Sequence, residues 1–296
     1  MEKFTGESIL EFTDRFKTDL DCLEYLASKK WEDNYKCSKC SHTKFTIRKK
    51  NFARDCNLCH HIESPTANTI FHRVRFGLRK AFVVIFEMSA STKSISAKQM
   101  AKRIKVSRTT TTTFMKKVRI SMASSESMPM VGNVHVDEFV FGGMENLKQG
   151  RSNDSKKKKL IIAVELSDTG GVKRVYFDTL KNYSSEELRN IFDTHISKQA
   201  KVKTDKWSGY KPLAKEYDIV QVKSDKGKSS KEIHTIIHQV KSWLRSTFSW
   251  VHKEHIMKYL NEYSYRINRS LFKDNIFDLL ITRMVKTQRL NTRILY

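Results

Sequence analysis

Residues 133–143 read NVHVDEFVFGG, and their period separates them from everything before them. Apolar and polar residues alternate as in a half-buried strand, and the run stops at Gly142-Gly143, a turn signal. Two more strands follow at KKLIIAVELSD (158–168) and VKRVYFDTL (172–180), parted by the turn residues Asp168-Thr169-Gly170-Gly171. Three strands in series predict a meander. YSSEELRNIFDTHI (183–196) is a helix opened by a capping-box pair, Ser184 and Glu187. KVKTD (201–205) and YDIVQVK (217–223) are short strands, and the basic run RSNDSKKKK (151–159) is most simply a solvated hairpin loop, although its lysines could touch phosphates.

A last helix, TIIHQVKSWLR (235–245), closes the series. On it Ile237, Val240 and Leu244 form an apolar stripe with Trp243 beside them, while His234, His238, Lys241 and Arg245 share another face. Taken alone, such a face is a solvated one. The succession β-β-β-α-β, then strand and helix, changes that reading, because it is the order of an RNase-H-like core in the α/β class. That fold carries a carboxylate on its first strand, another at the end of its fourth, and a third ligand on a later helix. Asp137 in HVDEF, Asp205 in VKTDKWSGY and the helix bearing His238 occupy those places. The chemistry explains the pattern: two divalent ions about 3.5–4 Å apart clamp the attacking and leaving oxygens of a phosphodiester, and hard carboxylates hold them.

Upstream, Cys37-Ser-Lys-Cys40 and Cys56-Asn-Leu-Cys59 are two CxxC knuckles with fifteen residues between them. That is zinc-ribbon spacing, and four thiolates make a closed, structural Zn²⁺ site. Cys22 has no pair and reads as a small core residue of the preceding helix. LRKAFVVIFEMSA (78–90) is a packed helix. SISAKQMAKRI (94–104), capped by Ser96, and RTTTTTFMKKVRISM (108–122), capped by Ser107, then form a helix pair with a tight link, the helix-turn-helix plan. The second helix would present Arg108, Lys116 and Arg119 to DNA; an ordinary helical linker is the competing account. The net charge of +24 draws a polyanion. Between Lys36 and Arg119 there are 20 Lys and Arg against only Asp55, Glu63 and Glu87, so the surplus sits in the first half. No apolar run is long enough to span a membrane and the N-terminus has no secretory pattern, so a cytoplasmic, nucleoid-associated protein is expected.

The segments CLEYLASKKW, CSKC, CNLC, SPTANTIFHRVRFGLRKAF, VDEFVFGG, TDKWSGY, IHQVKSWLR and HIMKYLNEYSYRINR, from about Cys22 to Arg269, resemble the zinc-ribbon DDE transposases of bacterial insertion sequences, the ISXO-like lineage related to the eukaryotic Merlin elements. The resemblance implies a DDH triad of Asp137, Asp205 and His238, with Lys241 as an accompanying basic residue. An imidazole ligand favours softer ions than Mg²⁺, so Mn²⁺ is expected to serve beside it. Asn68 stands where the lineage usually has glycine. The expected organisation is an N-terminal helical segment (1–30), zinc ribbon (31–72), helix-turn-helix region (73–128), RNase-H-like core (129–270) and C-terminal helical tail (271–296). The implied activity is binding of terminal repeats in double-stranded DNA, cleavage, and joining to target DNA by at least a dimer. A transposase relic that only binds DNA, and a nuclease without strand transfer, are the rivals.

Overall fold

The computed structural model describes residues 2–6, 8–90, 93–142, 157–223, 230–248 and 250–288, leaving aside the side chain of residue 273. The expected basic hairpin loop at 151–159 therefore lies largely outside the described residues. The chain divides into two units, Met1–Met122 with Arg269–Tyr296, and Ala123–Asn268.

The second unit is built on strands β4 (Asn133–Phe141), β5 (Lys158–Leu166), β6 (Val172–Leu180), β7 (Lys201–Thr204) and β8 (Asp218–Gln221), hydrogen-bonded in the order β6-β5-β4-β7-β8. The first three form the expected antiparallel meander, whereas β4-β7 and β7-β8 are parallel. This is the RNase-H-like topology. Strand β5, flanked by β6 and β4, is buried from Lys159 through Glu165, which explains why LIIAV is a continuous apolar run rather than an alternating one. On one face Phe139, Leu160, Ile162 and Val164 pack against Ile233, Ile237, Val240 and Leu244 of α7 (Lys231–Thr247) and Leu260 of α8 (Ile256–Ile267). On the other, Val134, Val136, Ile161 and Ala163 meet Leu188, Ile191 and Phe192 of α6 (Ser185–His195). Ser184 caps α6 by accepting the Glu187 N–H, and Glu187 accepts the Lys181 N–H instead of closing the box on Ser184.

The first unit contains α1 (Ile9–Arg15), α2 (Asp19–Lys30), β1 (Phe45–Arg48), β2 (Ala53–Cys56), β3 (Ile62–Glu63), α3 (Leu78–Ala90), α4 (Ala97–Ile104), α5 (Arg108–Ser121) and α9 (Ile276–Lys286). The expectation of separate N-terminal and C-terminal helical segments is corrected here. Phe277 of α9 sits among Phe4, Phe12, Phe16, Phe82 and Phe86 in an aromatic cluster, with Phe12 stacked on Phe86 at 4.5 Å. Buried Asp278 beside it pairs with Lys29 at 2.6 Å and accepts the Tyr25 hydroxyl. The spacing of Phe277, Leu280, Ile281 and Met284 gives α9 one apolar face, and that face is buried in the first unit's core. Cys22 is fully buried in α2, as expected. Asn68 adopts φ +59°, in the left-handed region that asparagine tolerates better than most residues other than glycine.

Candidate active site

Parallel pairing of β4 with β7 runs Asn133↔Lys201, Val134↔Val202, His135↔Lys203, and β7 ends at Thr204. Continuing that register by two residues sets Asp137 opposite Asp205, beyond the last ladder bond. The two strands part there, and a notch opens at the C-terminal end of β7. Ligand oxygens of Asp137, Glu138 and Asp205 all lie within 4.8 Å of one another in it. Backbone donors orient two of the three carboxylates: Asp137 Oδ1 accepts the Glu138 N–H at 2.9 Å, and Asp205 Oδ1 accepts the Trp207 N–H at 3.0 Å. Gln221 on β8 stiffens the Asp205 turn by donating from Nε2 to the carbonyls of Asp205 (3.1 Å) and Trp207 (2.8 Å). The Trp207 indole donates to Tyr183 O at 2.9 Å, and a Cβ on Gly209 would stand 2.6 Å from that indole nitrogen, so the turn requires glycine there.

Asp137 shares a strand face with Phe139, toward α7, while Glu138 points the other way, toward Tyr210. Burial, then the charge of Glu138 and those of Asp137 and Asp205, pushes the Tyr210 phenol far above its ordinary value, so it is a protonated hydroxyl beside the carboxylates. Three carboxylates converging on one point repel one another. Such a cluster fits hard divalent cations, with oxygen donors throughout.

Helix α7 runs alongside β4. His135 Nδ1 is 4.0 Å from Glu232, His234 Nδ1 is 3.9 Å from Asp137 Oδ2, and the Lys241 ammonium lies 5.3 Å from the Phe139 ring centroid. The basic face expected for this helix is present, with His238 exposed and lining an open groove with Lys241, Ser242, Arg245 and Ser246. His238 is not part of the carboxylate group. The imidazole facing Asp137 is His234, one turn earlier, and burial, then the charges of His238 and Lys241, hold it below its usual value. Burial and Arg245 likewise lower Lys241, against the pull of Asp137.

In the first unit the four cysteines converge, Cys37 Sγ to Cys59 Sγ at 3.6 Å and Cys40 Sγ to Cys56 Sγ at 3.5 Å. Disulfides need ~2 Å, whereas sulfurs around a tetrahedral Zn²⁺ with ~2.3 Å bonds stand ~3.8 Å apart. The geometry fits the ion. Both knuckles are built alike: Ser41 (φ +62°) and His60 (φ +54°) turn left-handed just after Cys40 and Cys59, and their N–H groups close on Cys37 O and Cys56 O, each at 2.9 Å. The antiparallel β1-β2-β3 sheet carries the knuckles, and Lys30 of α2 anchors it through Glu63 at 2.8 Å.

The helix pair is also present. Lys105, left-handed at φ +52°, ends α4, and Ser107 caps α5 by accepting the Thr110 N–H at 3.2 Å. Thr111 and Thr112 return their hydroxyls to Ser107 O and Arg108 O, which accommodates the threonine run inside the helix. Of the residues expected to face DNA, Arg108 is exposed and Lys116 half-buried, but Arg119 is only 3% exposed. The expectation for Arg119 is thereby overturned, because its helical position falls on the buried stripe of Thr111, Met115 and Val118.

Residues 129–268 match the family model of the ISXO2-like transposase domain. Among solved structures the chain is similar to the Mos1 strand transfer complex (12% identity over 69% of this chain and 75% of that chain, TM-score 0.31). It is also similar to a pre-cleavage Mos1 transpososome (11% identity, 67% and 76% covered, TM-score 0.29). No curated protein sequence matches it.

Proposed function

We propose that this protein is a zinc-ribbon transposase of the DDE class that binds the terminal inverted repeats of its own insertion sequence in double-stranded DNA, hydrolyses a phosphodiester to free a 3′-hydroxyl, and joins that end to target DNA as at least a dimer. The observation that supports it best is the register that brings Asp137 and Asp205 together where β4 and β7 part. Divalent ions, Mg²⁺ or Mn²⁺, held there by Asp137 and Asp205 would lower the pKa of the nucleophile and stabilise the leaving oxyanion. Water and then the 3′-hydroxyl are the successive nucleophiles. The chain's own groups supply the rest. Glu138 adds a third carboxylate from the opposite strand face, and Gln221 holds the Asp205 turn. His234, its imidazole held below the usual value first by burial, faces Asp137 Oδ2, and His238 with Lys241 lines the adjoining groove, where His238 would supply the third member of the triad. Lys241 is a point charge for the phosphate being cut. Structural Zn²⁺ on Cys37, Cys40, Cys56 and Cys59 holds the ribbon.

The test is a cleavage and strand-transfer assay on a duplex carrying the DNA that flanks this coding region. Cutting and joining support the reading, cutting without joining makes the protein a nuclease, and binding without cutting makes it a relic.

A further inference from the structure

We infer that the cleft between the loop at 72–77 and the α4–α5 turn is the surface with which the first unit grips the sugar-phosphate backbone of duplex DNA. Arg73, Arg75, Lys80, Lys105 and Lys117 line this cleft, and among the described residues no aspartate or glutamate does. The first four are exposed, so their charges stand in solvent at its rim. Ser107, Thr109 and Thr110 add hydroxyls along one wall, where α5 begins without an acidic residue in its first turn. Phe76 packs edge-on against Phe114 of α5 at 5.3 Å, so the loop that carries the two arginines is fastened to the helix that forms the opposite wall. The basic groups are thereby held on one rigid frame.

Chemistry and shape point to one occupant. A small anion needs two or three converging donors in a closed site. Here the cations are spread along an open cleft, which suits a polyanion with a charge every ~1.7 Å of its axis. Hydroxyls beside Arg and Lys are the usual phosphate-contacting set, and such contacts fix the register of a helix on a duplex without reading bases. Arg108, exposed at the first position of α5, stands next to this wall, where a recognition helix enters a groove by its N-terminal residues. The far end of α5 is a poorer surface, since Arg119 is buried and Lys116 half-buried. The inference rests on the transposase reading and deepens it by keeping DNA contact at Arg108, at the start of α5, and moving the rest of it from Lys116 and Arg119 to Arg73, Arg75 and Lys105.

The experiment measures affinity of the full-length chain for a random-sequence duplex of roughly 30 base pairs, three helical turns, across a range of salt. It compares wild type, Arg73→Ala/Arg75→Ala/Lys105→Gly, and a control, Lys211→Ala/Lys215→Ala, that removes exposed charge from the second unit. Lys105→Gly relieves a left-handed lysine, while Arg73, also left-handed at φ +56°, becomes an alanine, and an unchanged thermal midpoint of the triple variant verifies that loss of binding is not loss of fold. The expected result is weaker binding at low salt and a log K against log salt slope shallower by about 0.9 for each phosphate contact removed, with the control near wild type. Equal losses in the triple variant and the control overturn the cleft in favour of overall charge. Wild-type affinity and slope in the triple variant also overturn it, while cleavage by the same preparation leaves the transposase reading standing. Absence of duplex binding by the wild-type chain, or a preference for single-stranded RNA of the same length, removes both.

Discussion

The zinc ribbon and the carboxylate notch are both clusters of metal-ligating side chains, and the chain assembles them in opposite ways. In the ribbon, all four ligands come from two knuckles whose geometry is closed locally by the Ser41 and His60 hydrogen bonds. In the notch, Asp137 and Asp205 come from strands that meet only through long-range pairing, and the α7 groups arrive from a third element. A local cluster depends on its ion for stability. A long-range cluster depends on the fold, and the ion depends on it. The ribbon is therefore expected to fail as structure when its metal goes, and the notch to fail as chemistry.

The largest effect follows directly. Removing Zn²⁺ with a chelator, or Cys37→Ser, is expected to abolish ribbon folding, since structural zinc is worth on the order of 10 kcal/mol or more to such modules. The sheet of the second unit keeps its own unfolding transition. Calorimetry on zinc-loaded and zinc-stripped protein checks this, and elemental analysis is expected to give one tightly held zinc per chain. A second unit that melts together with the ribbon breaks the contrast.

Next in size is Asp278→Ala, which leaves Lys29 charged and buried without its carboxylate and is expected to cost roughly 3–5 kcal/mol. The first unit bears that loss, measured as a lower denaturant midpoint for its transition alone. Gln221→Ala tests the other side of the comparison. Freeing the two carbonyls of the Asp205 turn should lower the cleavage rate or metal affinity by roughly 10–100-fold, the usual effect of a residue that orients a ligand, with little change in duplex binding. Full activity at ordinary metal concentration would show that Asp205 needs no such support.

A smaller effect is set by pH. His195 stacks on Tyr176 at 4.2 Å, and burial holds its imidazole below the ordinary value, with Arg174 adding to that and Glu126 and Asp178 opposing it. The unfolded chain therefore takes up a proton before the folded one as pH falls below about 6.5, and stability declines in that window. His195→Phe keeps the ring stack and removes the titration. The fall in the second unit's thermal midpoint between about pH 7 and pH 5.5 should be shallower in that variant.

The same contrast explains what was legible in the sequence. Knuckle spacing declares its own geometry, so the four cysteines were readable from CSKC and CNLC alone. Asp137 and Asp205 were readable from the order of elements, because order fixes which strand ends meet. Glu138 was not, since strand alternation sets it on the face opposite Asp137. Only the early end of β7 at Thr204 lets both carboxylates turn into one notch. Arg119 was misread because its charge was weighed above its place on the stripe of Thr111, Met115 and Val118. Similarly, α9 passed for a tail because nothing in residues 276–286 names its partners, the phenylalanines near the N-terminus. On α7 the polar face was legible, but which imidazole approaches Asp137 depends on how far the helix slides along β4.

In the proposed reaction Asp137 and Asp205 carry the chemistry, with the polar face of α7 beside them. The most direct test is cleavage of the flanking-DNA duplex, in Mg²⁺ and in Mn²⁺, by Asp137→Asn, Asp205→Asn, Glu138→Gln, His234→Ala, His238→Ala and His238→Glu, each verified to bind the duplex. Both aspartate variants are expected to be inactive with either metal. His238→Ala should be severely impaired in Mg²⁺ and His238→Glu partly active, with carboxylate replacing imidazole on the same helix face. Wild-type cleavage by Asp205→Asn would contradict the account outright. Wild-type cleavage by His238→Ala together with an inactive Glu138→Gln would move the third ligand from α7 to β4.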